Sequence, residues 1–311
     1  MEYRVRHKSM LSAFAITVGL CFSMQAYAQD ANSGDNTMTA YASKDGGDAR
    51  INFSGKLRML SQRIPAAACV STNADNADTA IEALTQANAE FQNILLALRN
   101  GNDEMGVFGA EKERRILAKL DDISARWEPF HAAASDIIAG KNLEESMKHL
   151  SENNMALLEA AKALVVEVTA EYANPYEMTA ENALLIDYAG RQRMLTQKTA
   201  KEGCGVETGN EILGTLDDMK ATMSMFEITL NALRDGMPAA GVQAPPTEEI
   251  HSELLIATDR WNEAKSILES ETGEGSIGSE AETQLFDILT KELKEMNKIT
   301  GLYAEYTKTV N

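Results

Sequence analysis

The sequence predicts an all-α fold: two tandem antiparallel four-helix bundle modules, related by internal duplication and forming a pseudo-dimer within one chain. Residues 51–69 (INFSGKLRMLSQRIPAAAC) recur as residues 186–204 (IDYAGRQRMLTQKTAKEGC), and over the first thirteen aligned positions six are identical and six are conservative exchanges. The pairs Gly55/Gly190, Arg58/Arg193, Met59/Met194, Leu60/Leu195, Gln62/Gln197 and Cys69/Cys204 share one spacing of 135 residues. From Ile51 onward apolar residues recur at steps of three and four, without the alternation of a half-buried strand.

In the first half, helix 1 is expected over about 48–70, bent at Pro65, whose ring removes a backbone hydrogen bond. Helix 2 covers about 75–99 with Ile81, Leu84, Phe91, Leu95 and Leu98 on one face, and Asn100-Gly101 ends it. Helix 3, about 110–139, carries Ile116, Leu120, Ile123, Trp127 and Phe130 and stops at Gly140. Asn142 with Glu145 reads as an N-cap with an acidic third residue, opening helix 4 over about 142–172, before the break at Asn174-Pro175.

The second half repeats this order. Its helices are expected over about 178–203, 210–235, 247–270 and 280–308, with loops at 236–246 and 273–278 and a capping box from Ser279 and Glu282. Phe226 answers Phe91 at 135 residues, and Trp261 answers Trp127 at 134. Four helices with short connections pack as an antiparallel bundle. The domain reading is therefore 1–28 signal peptide, 29–47 disordered leader, 48–174 first module and 175–311 second module. Because helix 1 is the most alike between the halves, the two copies are expected to meet at a pseudo-twofold interface.

The signal-peptide reading rests on the basic start Arg4, Arg6, His7 and Lys8, an apolar run from Met10 to Phe22, and the small-x-small site Ala26-Tyr27-Ala28. Leu20 before Cys21 stands where a lipoprotein signal needs a small residue, so a soluble periplasmic protein is expected. No later segment has the 18 or more apolar residues a membrane span requires. Removal of the signal leaves 26 Lys plus Arg against 46 Asp plus Glu. That acidity argues against nucleic acid and anionic membrane surfaces as partners.

Gly55, Arg58, Gln62 and Cys69 lie close to one helical stripe, as do Gly190, Arg193, Gln197 and Cys204. If the two helices pack parallel and side by side, the two cysteines face each other about three turns, roughly 16 Å, from the arginines. In an oxidising compartment the pair is either a disulfide or two buried thiols. Bringing Arg58 to Arg193 is unfavourable unless acidic side chains or a small anion neutralise them. Guanidinium suits a planar oxyanion through its paired in-plane donors. The glycines would let the backbones approach, and the glutamines could add amide donors.

At these residues the chain resembles the periplasmic sensor module of NarX-type nitrate/nitrite sensor kinases and PilJ-type chemoreceptors. The pattern (I)N-x-(A/S)-G-x-x-R-M-(L)-(S/T)-Q-(R/K) of that module's first helix is similar to residues 51–63 and again to 186–198. The resemblance implies that Arg58 and Arg193 are paired ligands of one nitrate or nitrite, with Gly55 and Gly190 beside them and Gln62 and Gln197 as further candidates. The module is expected to pass this information to a membrane sensor or transporter, or to act as an anion-binding accessory. Two departures stand out: helices 1 and 4 do not run on into membrane spans, and Asp187 replaces Asn52 in the second copy.

The competing reading is a ligand-free structural or interaction module in which acids such as Asp187 neutralise the arginines. Arginines pointing to solvent would favour it; arginines facing each other across an apolar interface would favour the anion. Catalysis is not expected, and neither is a cofactor or metal. His131, His149 and His251 stand singly, and Met219, Met223 and Met225 read as core. The acid pairs Asp121-Asp122 and Asp217-Asp218 diverge on a helix.

Overall fold

The computed structural model describes residues 46–73, 78–173, 180–272 and 277–309. The signal peptide, the leader up to residue 45 and the Asn174-Pro175 break lie outside the described residues. Among the described residues eight α-helices follow one another: α1 (Gly47–Asn73), α2 (Asp78–Asn100), α3 (Arg114–Ile138), α4 (Leu143–Tyr172), α5 (Ala180–Thr208), α6 (Leu216–Asp235), α7 (Glu248–Thr272) and α8 (Ser279–Thr309). In each half consecutive helices pack on one another and the fourth closes on the first, giving two four-helix modules. Their most extensive shared contact is α1 against α5.

That position explains the composition of α1. A helix covered by α2, α4 and α5 has few faces left for water, so Arg50, Arg58, Ser61 and Gln62 are buried along with Leu57, Leu60 and Ile64. Polar and apolar residues are then not segregated to opposite faces, as they are on a surface helix. The outer helices do segregate them. Ala80, Leu84, Ala87, Phe91 and Leu98 of α2 face inward, and Phe91 stacks on Trp127 of α3 at 4.0 Å between ring centroids. Phe226 and Trp261 repeat the contact in the second module at 4.1 Å.

Several boundaries differ from the sequence reading. The chain runs helically through Pro65, whose missing N–H does not end α1. Helix 3 starts at Arg114 rather than near 110, because residues 102–107 close a small loop with a 3-10 turn at Asp103–Met105. Its counterpart, with a turn at Pro238–Ala240, closes between Met237 and Val242. Helix α5 continues to Thr208, so Cys204 sits inside a helix, and α6 opens only at Leu216 behind a capping box of Thr215 and Asp218. Ser279 is already helical in α8, and Glu282 N–H bonds to Gly278 O instead of completing the expected box. Asn142 is not a side-chain cap either. It takes a left-handed conformation at φ 46°, which asparagine tolerates, and donates to Asp136 at 3.0 Å.

Candidate functional site

Helices α1 and α5 run parallel and in register. Cys69 and Cys204 are joined by a disulfide with 6.2 Å between Cα atoms, while Gly55 and Gly190 both lie under the same two guanidinium groups. A Cβ placed on Gly55 would stand 3.4 Å from Arg193 Nη2 and 3.6 Å from Arg58 Nη2. On Gly190 the corresponding distances are 3.4 and 3.8 Å. The glycines therefore leave open the space next to both Nη2 atoms.

As whole residues, Arg58 and Arg193 are 9% and 4% exposed. Each reaches across the interface to the other module. Arg58 Nη1 approaches Asp187 Oδ1 at 3.5 Å, and Arg193 Nη1 donates to Asn52 Oδ1 at 3.0 Å. Residues 52 and 187 are themselves equivalent, so these contacts obey the same twofold relation as the arginines. Arg193 is further held by Asn297 Oδ1 at 3.3 Å and by Gly190 O at 3.4 Å. Arg58 Nε is buried without a hydrogen-bond partner among the described residues.

Burial pushes both pKa values down. Arg193 falls to about 10, first because it is desolvated and then because Arg58 is beside it. Arg58 is lowered by burial and partly restored by Asp187. Both stay protonated at neutral pH. Of the two buried positive charges only Arg58 faces Asp187, whose other oxygen lies 2.6 Å from Arg191 Nη2, while the acid acting on Arg193 is Glu90, itself paired with Lys56.

The glutamines sit one turn further along and are fully buried. Gln197 accepts from Arg63 Nη1 at 2.8 Å and donates to Thr196 Oγ1 and Leu289 O, each at 3.3 Å. Gln62 donates to Ser61 Oγ at 3.4 Å, and its Oε1 has no partner among the described residues. Neither is hydrogen-bonded to Arg58 or Arg193. Asn297 was missed by sequence reasoning: it lies on α8, 104 residues from Arg193, and no periodicity ties the two.

The other candidates disperse. Met219 is buried but Met225 is 59% exposed, so the methionines are not a common core cluster as expected. Asp121 pairs with Arg99, Asp122 with Arg126, and Asp218 caps α6. Among the described residues no group of three or more His, Cys, Asp or Glu converges as metal ligands. A groove of about 260 Å³ between α2 and α3 includes Gln92, Trp127 and His131 in its lining. It lies away from the arginine pair, and its two ring N–H-bearing residues are engaged: Trp127 Nε1 donates to Gln92 at 2.6 Å, and His131 Nδ1 lies 2.9 Å from Asn88 Oδ1.

Residues 39–163 and 179–283 each match the model of PilJ, the N-terminal region of type IV pili methyl-accepting chemotaxis transducers. The chain belongs to the PilJ family. The match occurs twice, in the two halves that the internal repeat marks out. The PilJ domain is a periplasmic sensor-type module of chemoreceptors. No curated protein matches the chain. Among the described residues no helix is long and apolar enough to cross a membrane.

Proposed function

We propose that this PilJ-family protein is a periplasmic sensor module that binds one small planar oxyanion, nitrate or nitrite, between α1 and α5. It would pass that information to a membrane sensor or transporter. The observation that carries the reading is the convergence of Arg58 and Arg193 over Gly55 and Gly190 in a buried, pseudo-twofold position. Like charges out of water repel and are costly to desolvate, and one carboxylate neutralises only one of them. An oxyanion would supply the missing negative charge and accept from the guanidinium donors that face the glycines. The pattern at residues 51–63 and 186–198, read from the sequence as resembling the first helix of NarX-type nitrate/nitrite sensors, would imply the same ligand class. Gln62 is a candidate to orient the anion through its neighbours; Gln197 is occupied by Arg63.

A second reading, a ligand-free interaction module, draws on the contacts of Arg58 with Asp187 and of Arg193 with Asn52 and Asn297. In that reading these side chains suffice to hold the arginines in place.

Calorimetric titration of the signal-free protein with nitrate, nitrite, chloride and sulfate separates the two. Saturable nitrate or nitrite binding, absent from the Arg58→Ala/Arg193→Ala variant, is the expected result. At a hundredfold excess over Kd the ligand should also stabilise the fold by roughly 2.7 kcal/mol. Absence of binding by a folded protein would favour the second reading.

A further inference from the structure

We propose that Asp187 sets the charge preference of the anion site, favouring singly charged oxyanions over dianions. The inference rests on the reading of the arginine pair as an anion site and adds a residue that determines its selectivity. In a strictly twofold site, residues 52 and 187 would be the same and each arginine would meet a neutral amide. Here Arg193 meets the amide of Asn52 at 3.0 Å, whereas Arg58 faces the carboxylate of Asp187 at 3.5 Å.

Asp187 is anchored from outside. Its second oxygen lies 2.6 Å from Arg191 Nη2, so it approaches Arg58 without closing a short ion pair. Asp187 is shared with the partly exposed Arg191, and Glu90 near Arg193 is paired with Lys56, so the two buried guanidinium groups keep a net positive charge about the site and Asp187 is the carboxylate that faces it. A monoanion offsets part of that charge and meets the smaller repulsion from Asp187. A dianion doubles the repulsion from Asp187, since Coulomb energy scales with the product of the charges, and costs more to desolvate. Asn297 supplies only an amide oxygen to Arg193 and relieves none of this.

The Asp187→Asn variant, which restores the residue type of Asn52, tests the assignment. Nitrate and sulfate are titrated into wild type and variant, with thermal unfolding confirming that both are folded. If the carboxylate acts by charge, tightening of nitrate by about tenfold should accompany tightening of sulfate by about a hundredfold, because the doubled charge squares the ratio. Asn52→Asp, which adds a second carboxylate opposite Arg193, should weaken nitrate by a similar factor. Equal affinities and an unchanged nitrate-to-sulfate ratio in Asp187→Asn would overturn the role of Asp187 while leaving the anion site standing. Failure of wild type and both variants to bind either anion would instead overturn the site, and this role with it.

Discussion

At position 157 of α4 the first module buries a leucine; 135 residues later, at the same level of α8, the second module buries Glu292, which is fully inaccessible. Neither carboxyl oxygen of Glu292 has a hydrogen-bond partner among the described residues, and its nearest cation, Arg260, stands 3.6 Å away. The contrast recurs. Ala66 and Ala67 of α1 become buried Lys201 and Glu202 in α5, and partly buried Met147 becomes buried Glu282. Apart from Arg58, the first module places its buried charge at one end instead. Arg50 bonds to Glu111, to Leu98 O and to Gly109 O, and Tyr172 donates to Glu111, where the second module has buried Leu185. Two copies of one backbone plan have diverged: the first keeps an apolar interior with a locked end, the second an interior with ionisable groups. Residues 51–63 and 186–198, which hold the arginines, have stayed the most alike.

Separating the modules should have the largest effect. The disulfide closes a loop of 135 residues, so Cys69→Ser/Cys204→Ser should cost roughly 4–5 kcal/mol by the loop-entropy account, read as a lower Tm. Unlocking the first module comes next. Arg50→Ala leaves Glu111 buried without its cation, for about 3 kcal/mol, and should expose the 101–113 segment to hydrogen exchange.

Making the second module resemble the first should reverse the sign. Glu292→Leu is expected to stabilise by about 1–4 kcal/mol, with Arg260 still paired to Glu295. Burial raises Glu282 and Glu292 to about 8, so the folded chain keeps protons that the unfolded chain releases from about pH 4.5 upward. Stability should therefore fall as pH rises from about 4.5 to 8, and Glu292→Leu should flatten that slope. Lys201, lowered to about 8 by burial, adds an opposite slope only between about pH 8 and 10.4. The smallest effect is expected for Thr215→Ala, which removes the α6 cap without touching either interior and should cost about 1 kcal/mol.

The duplicated stripe was legible because covalent spacing and helical geometry together fix which side chains share a face. Gly55, Arg58 and Cys69 meet their counterparts once α1 and α5 lie in register. What completes the site was not legible, since Asn297 comes from a helix whose rotation only tertiary packing decides. The same holds for Arg50, whose partners lie 48 to 61 residues away. Periodicity misjudged Met225 because a helical stripe cannot say how much of it a neighbour covers. At Asn142 a local cap pattern was overridden by a left-handed turn residue following Gly140.

The central claim is that one anion is shared between the modules rather than bound by either alone. Nitrate titration into the single variants Arg58→Ala and Arg193→Ala tests it most directly. A shared site predicts one nitrate per wild-type chain and a loss of about 10- to 100-fold in affinity from each substitution, the worth of a charge-assisted hydrogen bond. Two nitrates per chain, or wild-type affinity retained by either variant, would contradict it.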